Sequence, residues 1–203
     1  MKSYTLLLFF VLFLLSLGQL AFAQSSKPDA PLRTFKAGQL DAHLGIGVLP
    51  TYLADRKRSS QAFPAIYAAL DYRISKTFTL GVYYGQSESQ TNEYLFSDGV
   101  RGNWLNSTRT YGVRSAFHIG DRIKNTDIYG GFTVGRTVVN VDCSDETMGR
   151  MKRYMGIEDI EARTVMSAFL GGRYTFAPRL SAFAEIGAGG VALARAGLAY
   201  QLF

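Results

Sequence analysis

The sequence predicts an all-β protein, specifically an eight-stranded antiparallel up-and-down transmembrane β-barrel. Three observations carry this. Apolar and polar residues alternate with period two in eight separate runs between Leu40 and Leu202, the signature of strands whose two faces meet different surroundings. The connections between these runs alternate between short and long. Lysine is excluded from the runs: Lys27, Lys36, Lys57, Lys76, Lys124 and Lys152 all fall in a lead-in, a turn or a loop.

The first run sets Leu40, Ala42, Leu44, Ile46 and Val48 against Asp41, His43, Gly45 and Gly47. Ile66, Ala68, Leu70, Tyr72 and Ile74 then oppose Tyr67, Ala69, Asp71 and Arg73. Phe78, Leu80, Val82 and Tyr84 oppose Thr79, Gly81, Tyr83 and Gly85. In the fourth run Tyr111, Val113, Ser115, Phe117 and Ile119 oppose Gly112, Arg114, Ala116 and His118. The pattern continues less cleanly with Ile128 to Val134, Met166 to Phe176 and Leu180 to Ile186. It ends with Ala194, Ala196, Leu198, Tyr200 and Leu202 against Arg195, Gly197, Ala199 and Gln201. Each run covers roughly 9 to 13 residues, the length a tilted strand needs to cross a bilayer.

Residues 75–77, 120–126 and 177–179 read as short turns, and 50–61, 86–107 and 140–163 as long loops. The last hairpin, around Gly189 and Gly190, is tight. In an up-and-down barrel this sorts short turns to one end and long loops to the other. A soluble barrel would place long hydrated side chains on its polar face. Here that face carries Gly, Thr, Ser, Tyr and a few charges of both signs, which suits a narrow filled lumen.

Residues 1–23 read as a signal peptide: Lys2, an apolar run over 5–17, and Ala21-Phe22-Ala23 as the small-residue cleavage site. The polar stretch from Gln24 favours cleavage over a retained anchor. Residues 24–37, with Pro28 and Pro31, form a lead-in, and 38–203 the barrel domain. The net charge of +6, or +5 without Lys2, is spread along the chain and gives no argument for nucleic acid. Cys143 is the single cysteine, which rules out an intrachain disulfide.

The strand Leu180-Ser-Ala-Phe-Ala-Glu-Ile-Gly187, the segment Gly197-Leu-Ala-Tyr200 and Phe203 resemble the small eight-stranded outer-membrane β-barrel family. This is the OmpA/OmpX-type outer-membrane β-barrel domain, including its Bacteroidetes members, and the likeness spans residues 38–203. The resemblance implies a place in the cell outer membrane, contact with outer-membrane lipid, and recognition of Tyr200 and Phe203 by the barrel-assembly machinery. Phe203 departs from the family pattern, because Tyr200 is in phase with Leu202 instead.

The expected interior holds Asp41, His43, Asp71, Arg73, Arg114, His118, Arg173, Glu185 and Arg195. Unpaired charges in a narrow lumen are costly, so an arginine–carboxylate network is expected, with Glu185 held between two or more arginines. Such a network reads first as a polar plug that sets strand register, and second as a gate or ion path. The histidines do not make an enzyme: His43 has no serine near it in its strand, and His118 adjoins a short turn. No cofactor or metal is implied.

Between 140 and 163, Ser144 can cap a helix with Asp145 and Glu146 in its first turn, Lys152 and Arg153 in its last, and Gly156 beyond it. Met148, Met151 and Met155 form an apolar stripe that rests on the barrel mouth or meets a partner. Tyr94, Phe96 and Trp104 in the 86–107 loop are candidates for an interfacial girdle or a binding surface. The function expected is structural, or surface interaction of a monomer with an extracellular partner through the long loops. A small-solute or ion conduit is the first alternative and a lipid-modifying enzyme the second.

Overall fold

The computed structural model describes residues 35–50, 59–119, 125–188 and 190–203. The expected signal peptide, most of the lead-in, and most of the 50–61 and 120–126 connections lie outside the described residues. Eight antiparallel strands close into one barrel in sequence order. They are β1 (Leu40–Pro50), β2 (Ser59–Ser75), β3 (Phe78–Leu95), β4 (Arg101–His118), β5 (Thr126–Asp142), β6 (Ile160–Ala177), β7 (Leu180–Gly187) and β8 (Ala192–Gln201). Helix α1 (Asp145–Met155) interrupts the β5–β6 connection. Closure is made by β8 on β1, from Asp41 opposite Gln201 to Pro50 opposite Ala192.

The two faces follow the alternation. Leu44 is 69 % exposed and Met166 76 %, whereas Arg73 is 1 % and Glu185 2 % exposed. This distribution inverts that of a soluble protein and fits a barrel whose apolar belt is solvated by lipid. Closure satisfies the strand hydrogen bonds inside that belt, which a bilayer requires. The strands are tilted. Phe78, at the end of β3 on the side of Leu40 and Phe203, pairs with Phe117, which leads across to Gly130 and Leu170, each further from the corresponding end of its strand.

The strands differ from expectation in length. β3, β4 and β6 run 18 residues and β2 and β5 run 17, against 8 for β7 and 10 for β8. The expected 86–107 loop is therefore mostly strand, turning at 96–100. Its period-two signal fades because Gln86 to Gln90 on β3 and Asn106 to Arg109 on β4 are polar on both faces. Backbone pairing continues there all the same, from Gln86 opposite Arg109 to Gln90 opposite Leu105. Likewise β5 and β6 take in both flanks of the 140–163 loop. The β2–β6 wall thus rises beyond the apolar belt, while the β7–β8–β1 side stops near it.

Candidate functional site

The lumen is filled by charge. On β7, Glu185 accepts from Arg114 Nη2 of β4 at 2.8 Å and from the Tyr129 hydroxyl of β5 at 2.9 Å, both on Oε1. Its Oε2 takes Arg195 Nε of β8 at 2.5 Å. Arg114 also donates to the Tyr67 hydroxyl and places Nε 3.4 Å from Asp71 Oδ1. His43 Nε2 stands 3.3 Å from Asp71 Oδ2, and its ring meets Phe183 edge-on at 5.2 Å. Arg114 and Arg195 stack over the Phe169 and Tyr67 rings at 4.5 and 4.2 Å, so the aromatic residues of the lumen carry part of the cation load.

A second group lies nearer the terminal end. Arg173 bridges Asp41 at 2.9 Å and Asp127 at 2.7 Å. Asp127 also receives Arg73 Nη2 at 3.4 Å and lies 2.9 Å from His118 Nδ1. The other ring nitrogen of His118 is 3.0 Å from the Thr79 hydroxyl. Thr79, His118 and Asp127 thus form a nucleophile–imidazole–carboxylate sequence in outline. Thr79 is 2 % exposed and Asp127 fully buried, however. The hydroxyl and the carboxylate are both enclosed by the lumen side chains around them.

All nine lumen residues singled out from the sequence, Asp41, His43, Asp71, Arg73, Arg114, His118, Arg173, Glu185 and Arg195, face inward and share these two groups. Sequence reasoning missed Asp127, which alternation extended one step before Ile128 would have put on the inner face. It also missed Phe35, assigned to an unstructured lead-in. Phe35 is 5 % exposed and lies beneath the Arg73 and Arg173 guanidinium groups, 4.7 and 5.2 Å from its ring centroid. Four arginines face four carboxylates in these groups. Among the described residues no cluster of His, Cys, Asp or Glu is arranged to hold a metal ion.

The raised wall carries a small core of its own. Phe96, Trp104 and Met151 are buried together, with Tyr94, Val141, Cys143 and Ile157 packed around them. Helix α1 forms where expected. Ser144 accepts from Thr147 N, and Gly156, at φ 66°, ends the helix in the left-handed conformation that favours glycine. Arg150 ties the helix to the β3–β4 turn through Asp98 at 2.8 Å and pairs with Glu146 at 2.9 Å. The hydrogen bond from Arg150 holds the Asp98 carboxyl below its usual range. Of the methionine stripe, Met151 is in the core, Met148 is half-buried and Met155 is 37 % exposed. Phe96, Trp104 and Met151 are thus inward anchors of this cap and present no contact surface. Tyr200, Leu202 and Phe203 are all exposed, and the Phe203 carbonyl accepts from Leu40 N at 3.1 Å.

No protein-family profile matches the sequence, and no curated protein matches it. In shape the chain is similar to the outer-membrane protein OprG of Pseudomonas aeruginosa, with a TM-score of 0.59 at 11 % identity over 83 % of this chain and 98 % of that one. Also similar are the N-terminal β-barrel domain of Pseudomonas aeruginosa OprF (TM-score 0.49, 13 % identity, 82 % and 98 % covered) and a de novo designed transmembrane β-barrel (0.48, 14 %, 84 % and 100 %). The likeness to OprG, at 11 % identity, shows the fold. The chain has the architecture of the small eight-stranded outer-membrane β-barrels.

Proposed function

We propose that this protein resides in the outer membrane, seals its own lumen, and works outside the bilayer as a structural or surface-interaction protein. The observation that carries this reading is the mismatch in strand length, which raises β2–β6 beyond the apolar belt above a lumen filled by paired charge. Pairing of β6 with β7 ends at Phe169 opposite Gly187. Among the described residues, the flank of 160–168 turned away from β5 therefore carries no strand. An open flank of this kind takes up an extended segment by backbone hydrogen bonding. Ile160, 65 % exposed, and Met166, 76 % exposed, offer it apolar contacts. On the cap, Tyr154 and Met155 are the exposed apolar side chains of α1. The barrel needs no second copy, since closure leaves no strand edge inside the belt. The terminal strand with Tyr200 and Phe203 serves as the assembly signal and 1–23 as the export signal.

Cell fractionation with gel mobility before and after boiling tests location and barrel together. The expected result is outer-membrane protein with heat-modifiable mobility, silent in planar bilayers. A soluble periplasmic pool, or stepwise conductance, would overturn the reading. For the surface role, replacing residues 144–158 by a Gly-Ser linker and placing Pro at Thr164 should abolish binding of cells to host or matrix surfaces. Unchanged binding in both variants would sink it.

A further inference from the structure

On β4 the lipid face runs Phe117, Ser115, Val113 and Tyr111, and the next residue along it is Arg109. On β5 it runs Ile128, Gly130, Phe132 and Val134, and then Arg136. Tyr111 stands opposite Arg136, and Arg109 opposite Val138. Paired rows climb from β4 to β5, so Arg136 stands higher than Tyr111, as Arg109 does one step along its own strand. The two guanidinium groups therefore share a level just above the belt. They are diagonal neighbours on one face, roughly 7–8 Å apart at the backbone. Both residues are exposed. Among the described residues neither has an ion-pair or hydrogen-bond partner. Glu88 is the matching diagonal neighbour of Arg109 on the β3 side and makes no ion pair with it.

The surroundings match an anion. Gln86 stands opposite Arg109 and Thr164 opposite Arg136. The Tyr84 hydroxyl donates to Gln86 Oε1 at 2.8 Å, which occupies the acceptor of that amide and leaves its N–H donors. Tyr84 and Tyr111 mark the level at which lipid headgroups begin. Two like charges side by side at the edge of an apolar medium repel until a counter-anion joins them. Arginine in particular grips phosphate through two parallel N–H donors.

We infer that Arg109 and Arg136, with Gln86 and Thr164 beside them, form a clamp for the phosphate of a phosphorylated glycolipid in the outer leaflet. This rests on the outer-membrane reading above. The clamp would fix the height of the β4–β5 face and hold the raised wall upright against the lipid surface.

Native mass spectrometry of the folded full-length protein, released from micelles doped with bis-phosphorylated lipid A or with its dephosphorylated form, tests this. Wild type should retain the phosphorylated lipid, and R109Q/R136Q should lose about tenfold or more in retention. R101Q/R153Q removes the same charge at the top of the wall and should retain lipid as wild type does. Equal retention of the two lipids overturns the clamp, as does unchanged retention in R109Q/R136Q or equal loss in R101Q/R153Q. Displacement of the lipid by equimolar inorganic phosphate would reduce the site to a simple anion patch and overturn the lipid assignment. Heat-modifiable mobility of each variant confirms folding. A failed clamp with retained mobility leaves the barrel reading standing.

Discussion

Glu185 and Arg195 are directly opposite one another across the β7–β8 ladder and close an ion pair of 2.5 Å, while the other carboxylate oxygen of Glu185 reaches across the lumen to Arg114 and Tyr129. One side chain therefore ties β7 to β8, β4 and β5. In a lumen from which water is largely excluded, each of these groups would be costly alone. Together they act as a brace that fixes which strands stand opposite which.

Glu185→Gln leaves Arg114, 1 % exposed, with a buried charge that Asp71 alone must meet. We expect a loss of about 3–5 kcal/mol in unfolding free energy, measured by urea titration in micelles with the mobility shift as readout. Arg195→Gln should cost less, because its side chain is 13 % exposed and water can take part of the load. Equal stability of wild type and Glu185→Gln would show that the brace carries no load.

Crowding around the same carboxylate separates two adjacent glycines. A Cβ on Gly171 would lie 2.7 Å from Glu185 Cγ and 2.8 Å from the Tyr129 ring, whereas one on Gly172 meets nothing within 4 Å. Gly171→Ala should destabilise the barrel by about 1–3 kcal/mol, and Gly172→Ala should stay within about 0.5 kcal/mol of wild type. The same urea titration decides it. Equal effects would mean that the lumen yields around Gly171.

The barrel and its inner face were legible in the sequence because lipid on one side and a filled lumen on the other impose opposite chemistry on alternate residues. Asp41, Arg114 and Glu185 could be placed by phase alone. Phase vanishes where both faces meet water, which is why the upper halves of β3 and β4 read as a loop. Asp127 sat at the edge of a turn, one step outside the alternating run that would have placed it. Phe35 carries no local signal, since its position depends on Arg73 and Arg173 far along the chain. Helix α1 was legible because its capping residues Ser144 and Gly156 act locally. The burial of Phe96 and Trp104 was not, because it requires α1 to fold back over the wall.

The cap should respond to acid through Asp98. Its carboxyl is held below the usual range by Arg150, so this contribution to docking is complete above the ordinary carboxylate pKa of about 4 and is lost as pH falls through the lower folded value. Amide exchange in α1 should therefore be flat from neutral pH to about pH 5 and speed up only below about pH 4, after correction for intrinsic exchange. Asp98→Asn should abolish this added acid response. A wild-type transition near neutral pH would assign the docking to some other group.

Cys143 offers an independent probe of the cap. It packs against the Phe96, Trp104 and Met151 cluster, and burial, reinforced by Asp142, Asp159 and Asp145, pushes its thiol pKa up. Alkylation proceeds through the thiolate, so iodoacetamide should modify Cys143 slowly at neutral pH in the folded protein. Trp104→Ala removes the largest side chain from the cluster and leaves a void that the remaining residues do not fill. The cap then spends more time open, and alkylation should quicken by about tenfold or more. The lumen groups around Glu185 and Asp127 share no residue with this cluster, so the heat-modifiable mobility of Trp104→Ala should match wild type. Unchanged alkylation would mean that α1 docks without the tryptophan. Lost mobility would mean that cap and barrel fold as one unit, against the separation of the two cores seen here.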